Sequence, residues 1–167
     1  MLLISDANVL IDMAAGELLE AMFELPEAFA TPDLLFHQEL SSRHPQLPKM
    51  GLRLLTLKSD GVQEVQRLHT HCKGRTAPGL YDLFALVLAE QEQCPLLTGD
   101  RRLRALANER YPTLEIRGTL WLVEQLVTQG HISLTCAQKA YDRMISDGSR
   151  LPLQDIKTQL VRLAAIS

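Results

Sequence analysis

Short apolar runs alternate with amphipathic stretches along the first two thirds of the chain. Runs of the length and character of buried strands lie at residues 2–5, 28–31, 52–57, 94–98 and 114–117. Apolar residues at helical spacing predict helices at residues 16–24, from 33 onward, and at 59–72, 82–92 and 101–109. Strands alternating with helices indicate βαβ crossovers, so the pattern predicts an α/β fold with a parallel sheet of about five strands flanked by helices.

Beyond Gly118 the pattern becomes helical only. It predicts a helix to about Thr128, a second capped by Ser133 and ending near Gly148, and a third after Pro152. No linker-like segment separates these helices from the preceding residues. We therefore expect one domain over residues 1–167, with an α/β core at 1–118 and an all-helical C-terminal extension at 119–167.

Composition and charge are those of a globular protein: 46% of residues are hydrophobic, 22% are charged and the formal net charge is −3. The charge is uneven, because residues 1–42 contain eight acidic residues and no Lys or Arg. This distribution fits an acidic centre with a basic rim, although chance surface patterning gives it equally well.

The three cysteines are far apart and have no CxxC spacing, which argues against a disulfide framework and against a zinc site. No apolar run is long enough for a transmembrane helix, and the N-terminus does not resemble a signal peptide. The sequence therefore favours a cytoplasmic protein with reduced thiols and no membrane partner.

Four acidic residues occupy positions where parallel α/β sheets bind ligands. Asp6 and Asp100 directly follow the first and fourth predicted strands, Glu39 lies in the helix after the second, and Asp82 begins a strongly apolar helix. Ligands of such sheets bind at the carboxyl ends of the strands. Each acid alone has an ordinary explanation as a turn residue, a cap or a solvated helix residue, but the topology brings all four to one end of the sheet.

Clustered carboxylates repel each other unless they are protonated or paired with cations. No Lys or Arg lies within three residues of Asp6, Glu39 or Asp82. Mg²⁺ or Mn²⁺, as one or two ions, is the natural partner of such an all-oxygen site. Divalent ions in such sites lower the pKa of water and neutralise charge during in-line displacement at phosphorus, so phosphodiester hydrolysis is the predicted chemistry.

Four segments together resemble the PIN-domain nucleases, including the toxins of VapBC-type toxin–antitoxin pairs. They are Asp6-Ala-Asn8-Val-Leu-Ile-Asp12, Glu39-Leu40, Asp82 with the apolar residues after it, and Leu96-Leu-Thr-Gly-Asp100-Arg-Arg-Leu103. The resemblance covers roughly residues 1–118, and the helical tail is similar to extensions in one prokaryotic branch of that family.

The resemblance implies a metal-dependent ribonuclease in which Asp6, Glu39, Asp82 and Asp100 are the catalytic metal ligands. Asn8 and Thr98 are the implied supporting groups that orient these ligands. The family also implies RNA as substrate, a small antitoxin as partner and a homodimer. One departure is that Gly79-Leu-Tyr81, before Asp82, lacks the hydroxyl residue that many relatives place there.

Basic residues flank two of the four acids and are weaker candidates for binding substrate phosphates. They are Arg101, Arg102 and Arg104 after Asp100, and Lys73 and Arg75 in the Gly/Pro loop before Asp82. An ordinary solvated helix face explains the three arginines equally well.

Two other functional hypotheses stay open on the sequence. The main alternative is a catalytically silent domain that keeps the fold for binding or regulation. Phosphoryl transfer through an aspartyl intermediate is disfavoured, because no D-x-D-x-T sequence follows the first strand.

Overall fold

The computed structural model of the protein describes residues 1–72, 74 and 77–166. Over these residues the strands form one parallel sheet in the order β3-β2-β1-β4-β5. The strands are β1 (Leu2–Ser5), β2 (Ala28–Pro32), β3 (Arg53–Leu55), β4 (Leu96–Leu97) and β5 (Ile116–Arg117). The predicted α/β class and the five-stranded parallel sheet are therefore confirmed.

Helices connect the strands and continue after the last one. Between the strands lie α1 (Ala7–Ala15), α2 (Leu19–Glu24), α3 (Asp33–Leu35), α4 (Leu47–Met50), α5 (Ser59–His71), α6 (Leu80–Glu92) and α7 (Arg101–Arg110). The C-terminal part contains α8 (Thr119–Thr128), α9 (Leu134–Ser146) and α10 (Leu153–Ile166). The Ser133 hydroxyl accepts a hydrogen bond from Cys136 N at 3.0 Å, as its predicted capping role requires. None of the helices in the described ranges is both long and apolar enough to cross a membrane.

The strand order reverses direction between β1 and β4. From β1 the chain builds outward through β2 and β3, and then returns to add β4 and β5 on the other side of β1. Ser5 pairs with Leu97, so the carboxyl ends of the two central strands lie side by side. Such a switch point leaves a crevice outside the strand ends, which is where open α/β sheets bind ligands.

Helix α6 forms the centre of the packing. Its residues 83–89 are all buried, and it packs against α5, α7, β1, β2 and β4. A helix that is apolar on all sides is stable only when it is surrounded by other elements. Asp82 lies in the first turn of α6, so the close packing of this helix fixes its position.

Two local differences from the predicted pattern bear on the candidate site. The predicted helix at 16–24 is α2, but a further helix, α1, begins at Ala7 because the Asp6 side chain caps it. The helix after β2 continues from α3 into a π-helical turn at Phe36–Leu40, in which Ser41 N donates to Phe36 O at 2.8 Å. Such turns insert one extra residue into a helix and occur often at functional sites.

The C-terminal helices pack closely on α1. A Cβ atom at Gly16, directly after α1, would lie 2.6 Å from Met144 Cε and 3.3 Å from Ala140 Cβ, so α9 approaches the end of α1 closely. The Thr119 hydroxyl of α8 donates to Asp12 Oδ2 of α1 at 2.8 Å. Within the tail, buried Gln159 of α10 donates to the Leu120 carbonyl oxygen at 2.8 Å.

We expect Leu86→Ala to lower the free energy of unfolding by about 3 kcal/mol, because it leaves a cavity inside the core of α6. Leu86 is 0% exposed. Leu153→Ala is the matched control, since Leu153 is 58% exposed and its truncation removes little packing. Chemical denaturation monitored by circular dichroism measures both. Equal effects of the two substitutions would contradict the central role of α6.

Candidate metal centre

Asp6 is a fully buried carboxylate at the end of β1. Its Oδ1 accepts from Val9 N at 2.9 Å and caps α1, and its Oδ2 accepts from the Thr98 hydroxyl at 2.5 Å. Burial raises the pKa of Asp6 to about 7, against the lowering effect of these two hydrogen bonds. The negative charges of Asp82 and Asp12 add to the increase.

The buried Thr98 hydroxyl connects two of the four predicted ligands. It donates to Asp6 and accepts from Asp100 N at 3.1 Å. Asp100 in turn caps α7, because its Oδ1 accepts from Arg102 N at 2.8 Å and from Leu103 N at 3.5 Å. The capping bonds use Oδ1 only, so Asp100 Oδ2 has no donor among the described residues.

Asp82 lies in the first turn of α6 and is half-buried. Desolvation raises the pKa of its carboxyl, and the negative charge of Asp100 raises it further. The Gly79 amide and the Arg102 side chain act in the opposite direction. A Cβ atom at residue 79 would lie 3.2 Å from Asp82 Oδ2, so glycine lets the backbone approach this carboxylate closely.

Glu39 belongs to the π-helical turn after β2 and is exposed as a residue. Partial desolvation of its carboxyl raises the pKa, and the negative charge of Asp82 raises it further. Asp82 therefore interacts electrostatically with Asp6, Glu39 and Asp100. The four acids are brought to the same end of the sheet with Asp82 as their common neighbour.

Comparison with known proteins identifies the family of the chain. A family model, DUF3368, described as a PIN domain, matches residues 2–164. The chain belongs to the PIN-domain family. PIN domains are generally nucleases that act on nucleic acids, and they typically bind divalent metals. The match extends through α8, α9 and nearly all of α10, so the C-terminal helices lie within the matched region. No curated protein matches the chain.

The donor set fits the metals that PIN domains typically bind. All four groups are carboxylates, which supply the oxygen ligands that Mg²⁺ and Mn²⁺ prefer. Burial raises the pKa of Asp6, Glu39 and Asp82, and the negative charge of a neighbouring carboxylate raises each pKa further. Over the described ranges, no three His, Cys, Asp or Glu side chains have the spacing of a closed metal-binding group. The acids are neighbours without forming a tight cage.

The predicted supporting and phosphate-binding residues differ in how close they lie to the four acids. Arg102 lies close enough to Asp82 to lower its pKa, and its Nη1 donates to the Ala77 carbonyl at 3.4 Å. Arg101 and Arg104 are exposed on α7. The Asn8 side chain is exposed and has no hydrogen-bond partner in the described part of the chain. Lys73 and Arg75 lie outside the described residues.

A cleft next to Glu39 was not predicted from the sequence. We call it the Glu39 cleft; its volume is about 210 Å³ and it is lined by Ile11, Ala14, Ala15, Glu39, Arg43, His44 and Asp147. The helical spacing of Glu39 and Arg43 was a local signal that these two residues are neighbours. Asp147 is more than 100 residues away in sequence, and no local pattern indicates its position.

We expect the metal-free protein to lose stability as the pH rises from about 4 to about 7. The pKa of the Asp6 carboxyl is about 7 in the folded protein, against an ordinary value of 3.8. Between these two pH values the folded protein therefore keeps a proton on Asp6 that the unfolded chain has lost. The contribution is fully present below the unfolded pKa and is lost as the pH passes the folded pKa. Asp6→Asn removes this contribution but keeps those of Glu39 and Asp82, so in EDTA the variant should lose less stability than wild type between pH 5 and pH 8.

The measurement is chemical denaturation in EDTA at both pH values. Asp142→Asn is the control, since Asp142 is an exposed carboxylate on α9 with no partner among the described residues. A wild-type protein and an Asp6→Asn variant with the same pH dependence would show that the buried carboxyl titrates normally.

Proposed function

We propose that the protein is a Mg²⁺- or Mn²⁺-dependent ribonuclease in which Asp6, Glu39, Asp82 and Asp100 hold one or two ions. The observation that carries the proposal is the contact of the Thr98 hydroxyl with Asp6 and with Asp100 N, which holds these two acids together beside the paired ends of β1 and β4. The negative charge of Asp82 acts on Asp6 and Glu39, and that of Asp100 acts on Asp82. Arg102 is the one cation that offsets the charge of Asp82 in the described residues. The remaining negative charge favours a divalent cation.

The residues of the chain have distinct tasks in this proposal. Thr98 positions Asp6 and the backbone of Asp100 through one hydroxyl, and it therefore fixes two carboxylates relative to each other. Asp82 is positioned independently by α6, and Glu39 by the π-helical turn. A bound divalent ion supplies positive charge for the phosphodiester transition state and lowers the pKa of water.

The basic side chains on α7 are the proposed binding groups for the phosphates of the substrate backbone. Among the three predicted phosphate-binding arginines of α7, Arg102 is the one whose charge acts on Asp82. Arg101 and Arg104 are exposed on the same helix and make no ion pair within the described ranges. Contacts from such residues hold a nucleic acid in register without reading its sequence.

A silent binding domain is the competing proposal. The observation in its favour is that the acids do not form a closed metal-binding group in the described part of the chain. Against it, the Asp6 carboxylate is fully buried beside two further carboxylates, an arrangement that is unfavourable unless a cation or a proton is bound. Metal binding without any turnover is the result that would favour this alternative.

The toxin–antitoxin context is a finer part of the proposal and rests on the sequence resemblance. It predicts that a neighbouring gene encodes a small DNA-binding protein that forms a complex with this chain and inhibits it. The homodimer has the same basis, and light scattering of the purified chain tests it. Neither is needed for the proposed hydrolysis.

We expect Mn²⁺ to raise the melting temperature of the wild-type protein and to support RNA cleavage. Asp6→Asn and Asp82→Asn should lose most of both effects, because each removes a charged ligand from the centre. Asp142→Asn should behave as wild type. Thermal denaturation and cleavage of a mixed structured RNA, measured over the same Mn²⁺ titration, provide the two readouts.

The outcomes separate the competing proposals. Stabilisation without cleavage favours the silent binding domain. If Mn²⁺ changes neither property of the folded wild-type protein, the four acids are not a metal centre. Cleavage that persists in Asp6→Asn and Asp82→Asn at the wild-type rate would place the activity elsewhere or in a contaminant.

A further inference from the structure

The Glu39 cleft is too small for a folded partner and has the volume of a small organic group. Its volume is about 210 Å³, and a water molecule occupies roughly 30 Å³ of liquid, so it holds roughly seven waters. Pockets for drug-sized ligands begin at about 300 Å³. An occupant of the size of one nucleobase is compatible with this space, whereas an extended oligonucleotide is not.

The cleft is lined by apolar residues and by charged residues of both signs. Ile11, Ala14 and Ala15 come from α1 and supply the apolar contacts. Glu39 and Asp147 are carboxylates, which disfavour an anionic group inside the cleft. Arg43 makes no ion pair with another residue in the described ranges. A neutral ring that carries N–H donors, attached to a phosphate near Arg43, satisfies this combination.

We propose that the Glu39 cleft binds the base of a nucleotide adjacent to the scissile phosphate and that Asp147 makes it selective for guanine. The position relative to the scissile phosphate rests on the proposed function, because Glu39 is both a proposed metal ligand and a wall of the cleft. With Glu39 directed to the metal, Asp147 is the carboxylate left to contact the base.

Guanine is the base that best matches a carboxylate. Its Watson–Crick edge presents two neighbouring donors, N1–H and the N2 amino group, whereas a carboxylate presents two acceptor oxygens. Adenine and cytosine each place a ring-nitrogen acceptor beside their amino group, and uracil places its single N–H between two carbonyl oxygens. Both arrangements bring an acceptor against one carboxylate oxygen.

His44 and Arg43 complete the proposed subsite. Histidine rings and guanidinium groups both stack on unpaired RNA bases, and Arg also binds phosphate. These two residues hold any nucleotide, so they contribute affinity rather than selectivity. The C-terminal end of α9, which carries Asp147, thereby contributes the residue that distinguishes one base from another.

The test is an NMR titration of the full chain with GMP, AMP, CMP and UMP in EDTA, which prevents metal-dependent cleavage. We expect GMP to bind most tightly and to shift the amide signals of Ile11, Ala14 and Arg43. In Asp147→Asn the ratio of the AMP to the GMP dissociation constant should fall about tenfold, the scale of one bidentate base contact. Asp142→Asn removes the same charge from the same helix and should leave the ratio unchanged.

Three results would overturn the proposal: equal binding of the four nucleotides, no binding, or GMP selectivity that survives in Asp147→Asn. The same variants are then assayed with Mn²⁺ and RNA, where wild type should cut next to guanine and Asp147→Asn should lose this preference. If wild type binds GMP selectively in EDTA but cuts no RNA, the base-binding cleft stands and the proposed hydrolysis fails.

Discussion

The burial of the Asp6 carboxylate at the end of β1 is the constraint on which the candidate site depends. Asp6 N donates to Leu97 O at 3.0 Å, which joins the ends of the two central strands where the strand order reverses. The Asp6 carboxylate is fully buried, and within the described ranges it accepts from two donors, Val9 N and the Thr98 hydroxyl. A group in this position must hold a proton or share a cation, and near neutral pH its pKa of about 7 leaves both states accessible.

The capping hydrogen bonds of Asp6 and Asp100 give these two acids a structural role and leave their carboxylates available to bind a metal ion. Asp6 and Asp100 cap α1 and α7, and each cap uses Oδ1. Capping fixes the rotamer of each side chain and costs little of its capacity to bind a cation, since an ionised carboxylate offers about four lone-pair sites. The explanation of these residues as helix caps and the proposal that they bind metal are therefore compatible. Thr98 joins the two caps, which makes one hydroxyl responsible for the relative placement of both acids.

The parts of this fold that were predictable from sequence are those encoded by local patterns. Apolar runs predicted the strands, and their alternation with helices predicted the parallel sheet and the edge at which the acids gather. Helix α1 was missed because Asp6-Ala-Asn8 is as typical of a turn as of a capped helix start, and tertiary packing decides between them. The Glu39 cleft was missed because it depends on contact between elements distant in sequence, above all the approach of Asp147 to α1. The π-helical turn was missed because the residues Phe36–Leu40 have the spacing of an ordinary α-helix.

The positions of the C-terminal helices explain part of the uneven charge distribution along the chain. The eight acids of residues 1–42 suggested an acidic centre, but two of them, Glu17 and Asp12, contact the C-terminal helices instead. Glu17 pairs with Arg143 at 2.8 Å, and Asp12 accepts from Thr119. The exposed ion pair contributes at most about 1 kcal/mol, so its role is in orientation more than in stability. The acidic residues of the N-terminal segment therefore belong partly to the candidate metal centre and partly to the contacts that dock α8 and α9. That docking brings Asp147 to Glu39, and it gives the helical tail a physical connection to the site.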